Sequence, residues 1–220
     1  MTSLTTPPLS SLLARLFAEA EASQAAYRQE TAQYSPQERQ ARLRSATGYR
    51  EFYAQAKDKY LAVSRETASL LYLLGRTSGA RAIVEFGTSF GISTLHLAAA
   101  LRDNGGGHLI GTEFEPSKVA RAQENLAAAG LSDLVEIREG DALETLGRDL
   151  PEAIDLVLFD GAKALYPRVL SLLEPRLRAG ALLVADNADA TPEYLAKVRA
   201  PGGGYLSVPF ADDVELSMKL

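Results

Sequence analysis

The pattern of apolar and polar positions divides the chain in two. Before about residue 80 the apolar residues recur at helical spacing. Leu12, Leu13, Leu16 and Phe17 do so in an Ala/Glu/Gln-rich stretch that runs to about Gln33, and Leu61 to Leu74 form a second stripe ending near Gly75 or Gly79. Ser35-Pro36-Gln37-Glu38 has the form of a helix cap and first turn, and Tyr49 to Ala56 predict a short further helix. From Arg81 the pattern changes to short apolar runs, which predict strands over 82–86, 108–113, 134–138, 154–159 and 180–185. Helices fall between them over 91–102, 117–129, 142–148 and 164–177, with breaks at Asn104-Gly105-Gly106-Gly107 and Ala129-Gly130. Such alternation implies right-handed crossovers and a parallel sheet covered on both faces. After Thr191-Pro192 comes one more short helix. The runs Gly202 to Phe210 and Val214 to Leu220 then predict an antiparallel hairpin turned through 211–213. The expectation is a single domain over 1–220, with a helical N-terminal cap over 1–79 and an α/β core over 80–220.

Candidate chemistry gathers where the first strand meets the helix after it. Glu85 closes the apolar run, Gly87 and Gly91 bracket the turn, and Ser93 and Thr94 enter the helix. Glycines let a backbone pass close to a neighbour, and a helix start offers free N–H groups, so the layout suits a nucleotide-type cofactor. The dinucleotide fingerprint G-x-G-x-x-G is missing, because Ser89 stands where its second glycine would lie against a pyrophosphate. S-adenosylmethionine (SAM) has no phosphate and does not need that glycine.

Ligands of open parallel sheets bind beyond the carboxyl ends of the strands, and acids stand at each of those ends here. Glu113 follows the second strand, where a carboxylate can accept both ribose hydroxyls; a plain helix-start charge before Pro116 is the alternative. Asp141 reads equally as an acceptor for the adenine amino group and as an N-cap. Asp160, Asp186 and Asn187 end the fourth and fifth strands. If those strands are neighbours, the three side chains converge into a set of hard oxygen donors suited to Mg²⁺, Mn²⁺ or Ca²⁺; separate turn formers are the alternative. Without a metal, two close carboxylates repel and one tends to hold a proton. Lys163, three residues after Asp160 at a helix start, is electrostatically misplaced there, which makes it a candidate general base with a pKa lowered by metal and dipole. His96 reads as a packing residue or a cofactor edge contact, and His108 lies at the far end of the sheet.

Composition narrows the function further. The 220 residues suit one core of ordinary size, and a net charge of −5 argues against binding nucleic acid through a basic face. The absence of cysteine excludes disulfides, thiolate metal sites and cysteine nucleophiles and fits a reducing compartment. No apolar run approaches the ~20 residues of a membrane span, and no signal-peptide pattern opens the chain, so the expected location is cytoplasmic, without membrane attachment.

Taken together, these residues resemble the catechol O-methyltransferase and caffeoyl-CoA O-methyltransferase group of class I SAM-dependent methyltransferases. The resemblance is strong over about residues 60–190 and weak at the end of the chain. Glu85-Phe-Gly-Thr-Ser-Phe-Gly-Ile-Ser93 looks like that group's SAM loop, Glu113 like its ribose-binding acid and Gly140-Asp141-Ala142 like its adenine segment. Asp160-Gly-Ala-Lys163 with Tyr166 looks like its metal-and-base motif, and Asp186-Asn187 like its second metal motif. Val63-Ser-Arg-Glu66 resembles the segment folded over SAM, with Arg65 where a proline is usual. The resemblance implies a Rossmann-like SAM methyltransferase fold, a mostly parallel seven-stranded sheet with a C-terminal antiparallel hairpin and N-terminal helices. It implies cofactor contacts from Val63, Glu85, Gly87, Ser89, Gly91, Ser93, Glu113, Phe114, Asp141, Ala142 and Asp160, a divalent cation, Mg²⁺ first, on Asp160, Asp186 and Asn187, and catalysis by Lys163 and Asp160. The chain departs from the group in the short Ala188–Gly204 stretch, where a long helical insertion is usual. It departs also at Gly161, a smaller residue than usual that suggests a roomier pocket.

The function expected is methyl transfer from SAM to a hydroxyl of a small catechol-like or vicinal-diol acceptor held on the metal. A metal-independent N- or O-methyltransferase, a non-catalytic SAM-binding protein and a nicotinamide-dependent oxidoreductase are the rivals, the last opposed by the missing glycine pattern. The apolar, Ala-rich helices before residue 80 suggest a homodimer.

Overall fold

A computed structural model describes residues 2–35, 38, 48–211 and 213–220. The N-terminal part holds α1 (Leu9–Thr31), α2 (Tyr49–Gln55) and α3 (Arg65–Thr77). The core alternates β1 (Ala82–Phe86), α4 (Ile92–Asp103), β2 (His108–Glu113), α5 (Pro116–Ala129), β3 (Val135–Glu139), α6 (Ala142–Thr145), β4 (Ile154–Phe159), α7 (Tyr166–Leu173), β5 (Leu177–Ala185) and α8 (Pro192–Val198). It ends in β6 (Tyr205–Phe210) and β7 (Val214–Lys219). The helix expected after Ser35 lies outside the described residues apart from its cap. There Ser35 Oγ accepts the Glu38 N–H at 3.2 Å and the Glu38 carboxylate accepts the Ser35 N–H at 2.7 Å.

The seven strands form one sheet in the order β3-β2-β1-β4-β5-β7-β6, parallel from β3 through β5 and antiparallel where β7 meets β5 and β6. Chain order reverses between β1 and β4, and the crevice beyond their carboxyl ends is where such a sheet takes its ligand. Ile83, Val84, Leu156, Val157, Leu158 and Phe159 are wholly buried or nearly so, as strands covered on both faces require. One face is packed by α1, α3 and α4, the other by α7 and α8.

The apolar residues of α1 are absorbed within the chain. Leu12, Leu13, Leu16 and Phe17 sit in the same cluster as Leu71, Leu95 and Leu101, and each contributes about 1.5–3 kcal/mol by leaving water. The stripe from Leu61 is not helical at its start. Ser64 caps α3, its Oγ accepting the Thr67 N–H at 3.0 Å, so Tyr60 to Val63 run extended before the helix. Around Gly180, whose φ is +78°, β5 shifts register against β4, and it begins at Leu177 rather than 180.

Candidate active site

β1 and its turn build the floor. Gly87 has φ +101°, and a Cβ there would lie 2.6 Å from the backbone of Asp160 and Gly161. Glycine is needed because the end of β4 passes against the loop; the Asp160 N–H donates to the Phe86 carbonyl at 2.8 Å. Gly91, at φ +87°, turns the chain into α4. Glu85 faces inward and is fully buried, accepting the hydroxyls of Thr88 (2.9 Å), Ser93 (2.7 Å) and Thr94 (2.6 Å). Burial raises its pKa to about 7 against the pull of those three donors. The structure thus places Glu85 behind the loop as its anchor, and Ser93 carries the anchor towards a small cleft between loop and Tyr60–Ala62.

Over this floor lies a cavity of about 680 Å³ lined by Gly87, Ser89, Glu113, Phe114, Asp141, Ala142 and Asp160. Both oxygens of Glu113 are held by backbone donors, Ser89 N–H at 2.7 Å and Glu115 N–H at 2.9 Å, which fix the carboxylate at the cavity wall with lone pairs to spare. Ser89 sits at φ +48°, and its Oγ is buried without a partner. Such an orphaned hydroxyl in a cavity wall is satisfied by a polar ligand atom. Asp141 caps α6, its Oδ1 accepting the Leu143 N–H at 2.9 Å, so the capping alternative holds for that oxygen. Its Oδ2 accepts Tyr49 Oη (3.1 Å) and Arg50 Nη2 (2.6 Å). Burial raises the Asp141 pKa, but the Leu143 N–H, Arg50 and Tyr49 outweigh it and hold the carboxyl below its ordinary value. Val63 is in the core and lines neither this cavity nor the next, while its neighbours Leu61 and Ala62 do line cavities.

A second, open cavity of about 1980 Å³ adjoins the first. Its floor is Asp160, Lys163, Asp186 and Asn187, brought together because β4 and β5 are paired neighbours; its outer wall includes Gln24, Tyr27, Arg28 and Thr31 of α1. Lys163 Nζ donates to Asp160 Oδ1 at 2.8 Å and to Tyr166 Oη at 2.9 Å. Tyr166 Oη in turn donates to the Phe159 carbonyl (2.8 Å) and lies 2.9 Å from the Asp186 carbonyl, so one ring ties the ends of β4 and β5 to the lysine. Asp160 and Asp186 both line this floor. Burial, then the Asp160 charge, pushes Asp186 up to about 8. Lys163 opens a 3₁₀ turn just before α7, and although burial lowers its pKa, the Asp160 carboxylate raises it well above the ordinary value. The lowered lysine pKa expected above depends on a metal beside Asp160, and the raised value belongs to the ion pair alone. Gly161 does not widen the pocket. A Cβ there would lie 2.5 Å from the Phe86 ring, so the glycine answers to packing.

Two carboxylates and an amide suit a hard divalent cation. Asn187, held at φ +49°, donates its Nδ2 to Asp213 Oδ2 at 2.8 Å, which leaves its Oδ1 free to ligate. Among the described residues no cluster of three or more His, Cys, Asp or Glu could hold a metal ion, so the amide is needed to complete the set.

Residues 84–188 match the methyltransferase domain family. The α/β core has the Rossmann-like fold of SAM-dependent methyltransferases. Catechol O-methyltransferase from Niastella koreensis is 36% identical over 137 residues, 61% of each chain. That of Mycobacterium tuberculosis is 34% identical over 127 residues, 58% of this chain and 57% of its own. The chain thus spans about three-fifths of the length of these curated relatives. The O-methyltransferase TomG from Streptomyces achromogenes, solved with SAM and involved in tomaymycin synthesis, superposes with a TM-score of 0.65 at 27% identity. That alignment covers 91% of this chain and 98% of TomG.

The structure also gathers residues that the sequence did not single out. Lys118, buried in the wall of the first cavity with its Nζ 5.3 Å from the Phe90 ring centroid, has its pKa lowered by burial. Asp213 reaches Asn187 from the β6–β7 turn, and Tyr53 donates to the Gly161 carbonyl at 3.3 Å. Their contacts are long-range and leave no local spacing to read. His96 packs, its Nδ1 2.8 Å from the Ile92 carbonyl and its ring edge-on to Phe17.

Proposed function

We propose that the chain is a SAM-dependent O-methyltransferase acting on a small hydroxylated acceptor, catechol-like or a vicinal diol. The observation that carries this reading is the common wall of the two cavities: Asp160, Leu61 and Tyr53 line both. A donor in the first and an acceptor in the second would meet at Asp160, and juxtaposition of this kind supplies much of the rate in group transfer.

In this reading Glu113 accepts the ribose hydroxyls, Ser89 Oγ gains a polar partner, Phe114 and Ala142 flank the adenine, and the Gly87–Gly91 loop cradles the methionine tail. Asp160, Asp186 and Asn187 hold the cation. Such a cation supplies positive charge that lowers the pKa of an acceptor hydroxyl, and of Lys163, towards neutrality. Lys163 takes the acceptor's proton on Nζ, Tyr166 keeps that nitrogen aimed at the junction, and Tyr53, Tyr60 and Leu61 keep water from it. The acceptor oxygen then forms its bond to the methyl carbon as the carbon–sulfur bond breaks, leaving neutral S-adenosylhomocysteine (SAH).

A metal-independent methyltransferase is the second reading, favoured by the charge balance of an Asp160–Lys163 ion pair beside a protonated Asp186. The test is transfer of labelled methyl from SAM to catechol and to simple vicinal diols, with Mg²⁺, Mn²⁺ or Ca²⁺ and after chelation. Turnover that vanishes with chelator and returns with cation is expected. Turnover indifferent to chelator selects the second reading, and SAM binding without transfer to any acceptor or to amines returns the chain to the non-catalytic rival.

A further inference from the structure

The mouth of the first cavity is crossed by α2, and what holds α2 there is polar. Asp141 Oδ2 accepts Tyr49 Oη at 3.1 Å and Arg50 Nη2 at 2.6 Å, and Arg50 Nε donates to Tyr49 Oη at 3.2 Å, closing a triangle. The Arg50 guanidinium also lies 5.9 Å from the centroid of Phe114, another residue of the cavity wall. One turn further on, Tyr53 donates to the Gly161 carbonyl. Residues 49–53 therefore grip the cavity at Asp141, beyond β3, and at Gly161, beyond β4. The Arg50 side chain is 57% exposed, whereas that of Asp141 is 11% exposed. The latch is thus a solvent-facing cation laid over a nearly buried carboxylate.

We propose that Tyr49 and Arg50 are cofactor-retaining residues, whose bonds to Asp141 must break before an adenosyl ligand leaves. This rests on the reading that the cavity binds SAM. The adenosyl group is common to SAM and SAH, so a latch at the Asp141 end retards both alike, unlike a contact with the sulfonium or the methyl. An ion pair with one partner in solvent is weakened by salt, and a change confined to the cavity mouth acts on dissociation more than on association.

The experiment is a chase. Labelled SAM on the intact protein is displaced by excess unlabelled SAH, and labelled SAH by SAM, at low and high salt, in the wild type, Arg50→Ala, Arg50→Lys and Tyr49→Phe. Expected are dissociation rates about tenfold higher in Arg50→Ala for both ligands, about two- to threefold higher in Tyr49→Phe, and intermediate in Arg50→Lys. High salt should speed release from the wild type towards the Arg50→Ala rate and change Arg50→Ala little. Rates for Arg50→Ala equal to the wild type, or faster release of SAM alone, overturn the latch. Glu113→Ala, run beside them, separates the two readings. If it loses SAM affinity by about tenfold or more while Arg50→Ala releases at the wild-type rate, the latch alone falls. If Glu113→Ala binds SAM normally, the cofactor site itself is misplaced and the latch falls with it.

Discussion

Glu85 and Asp160 stand at the carboxyl ends of the paired strands β1 and β4, and both are taken out of bulk water, yet they are accommodated in opposite ways. Glu85 meets three neutral hydroxyls, all from its own loop and helix start, and touches neither large cavity. Asp160 meets a charged lysine three residues on and faces a second carboxyl, Asp186, from the end of the neighbouring strand, and its side chain keeps 11% exposure to the cavities. The first arrangement is local: both oxygens accept neighbouring hydroxyls, and the group serves to hold a turn. The second is charge-dense and open to a ligand, and satisfying one member disturbs the others. A buried acid whose partners are themselves titratable and face open space is the stronger candidate for chemistry.

The largest effect should come from breaking the second arrangement. Asp160→Ala leaves Lys163 buried without its counter-charge, at a cost of about 3–5 kcal/mol in stability, and should abolish methyl transfer. Urea unfolding and labelled-methyl transfer measure the two separately. The double variant Asp160→Asn/Lys163→Met should recover most of the stability and none of the transfer; recovery of transfer would show the pair to be structural. Next, Lys163→Met should lower kcat by about 10²–10⁴, with the deficit shrinking at high pH, where the acceptor ionises unaided. Full activity at neutral pH would remove the lysine from the chemistry.

Glu85 should instead register in stability. Its folded pKa of about 7 is raised above the 4.5 of the unfolded chain. Between those values the native state binds the extra proton, so stability is greatest below pH 4.5 and falls as pH rises to about 7, by a total on the order of 3 kcal/mol. Glu85→Gln should be flatter over that window in urea titrations at successive pH values. Parallel wild-type and variant curves would mean that the carboxyl is ionised throughout. The smallest effect belongs to Asp213→Ala, which frees the Asn187 amide of an exposed hydrogen bond. It should weaken Mn²⁺ binding, followed by calorimetry, by about twofold to fivefold; no change would leave Asn187 oriented by the backbone alone.

Much of the frame was legible before any coordinates. β1, β2 and β4 fall where their apolar runs end in acids or glycine, because a doubly covered strand must be apolar throughout and a turn must follow it. The convergence of Asp160, Asp186 and Asn187 followed from one inference, that β4 and β5 are neighbours, and they are. α3 was misjudged at its start because Leu61 and Val63 continue the apolar stripe, although Ser64 and Thr67 carry the capping signal. The 2.8 Å ion pair between Lys163 and Asp160 was not legible, because the sequence gives the helix start but not the distance to the carboxylate. Tyr49, Arg50, Lys118 and Asp213 were invisible, since each acts on a partner far along the chain.

α1 lends no residue to the cavity that holds Glu113 and Asp141, yet it supplies Gln24, Tyr27, Arg28 and Thr31 to the outer wall of the other. Those four recur at helical spacing, a single readable face opposite the strand ends. In the proposed reading, substitutions on that face, one exposed or half-exposed position at a time, would change which acceptor fits while the first cavity and the buried charges stay as they are.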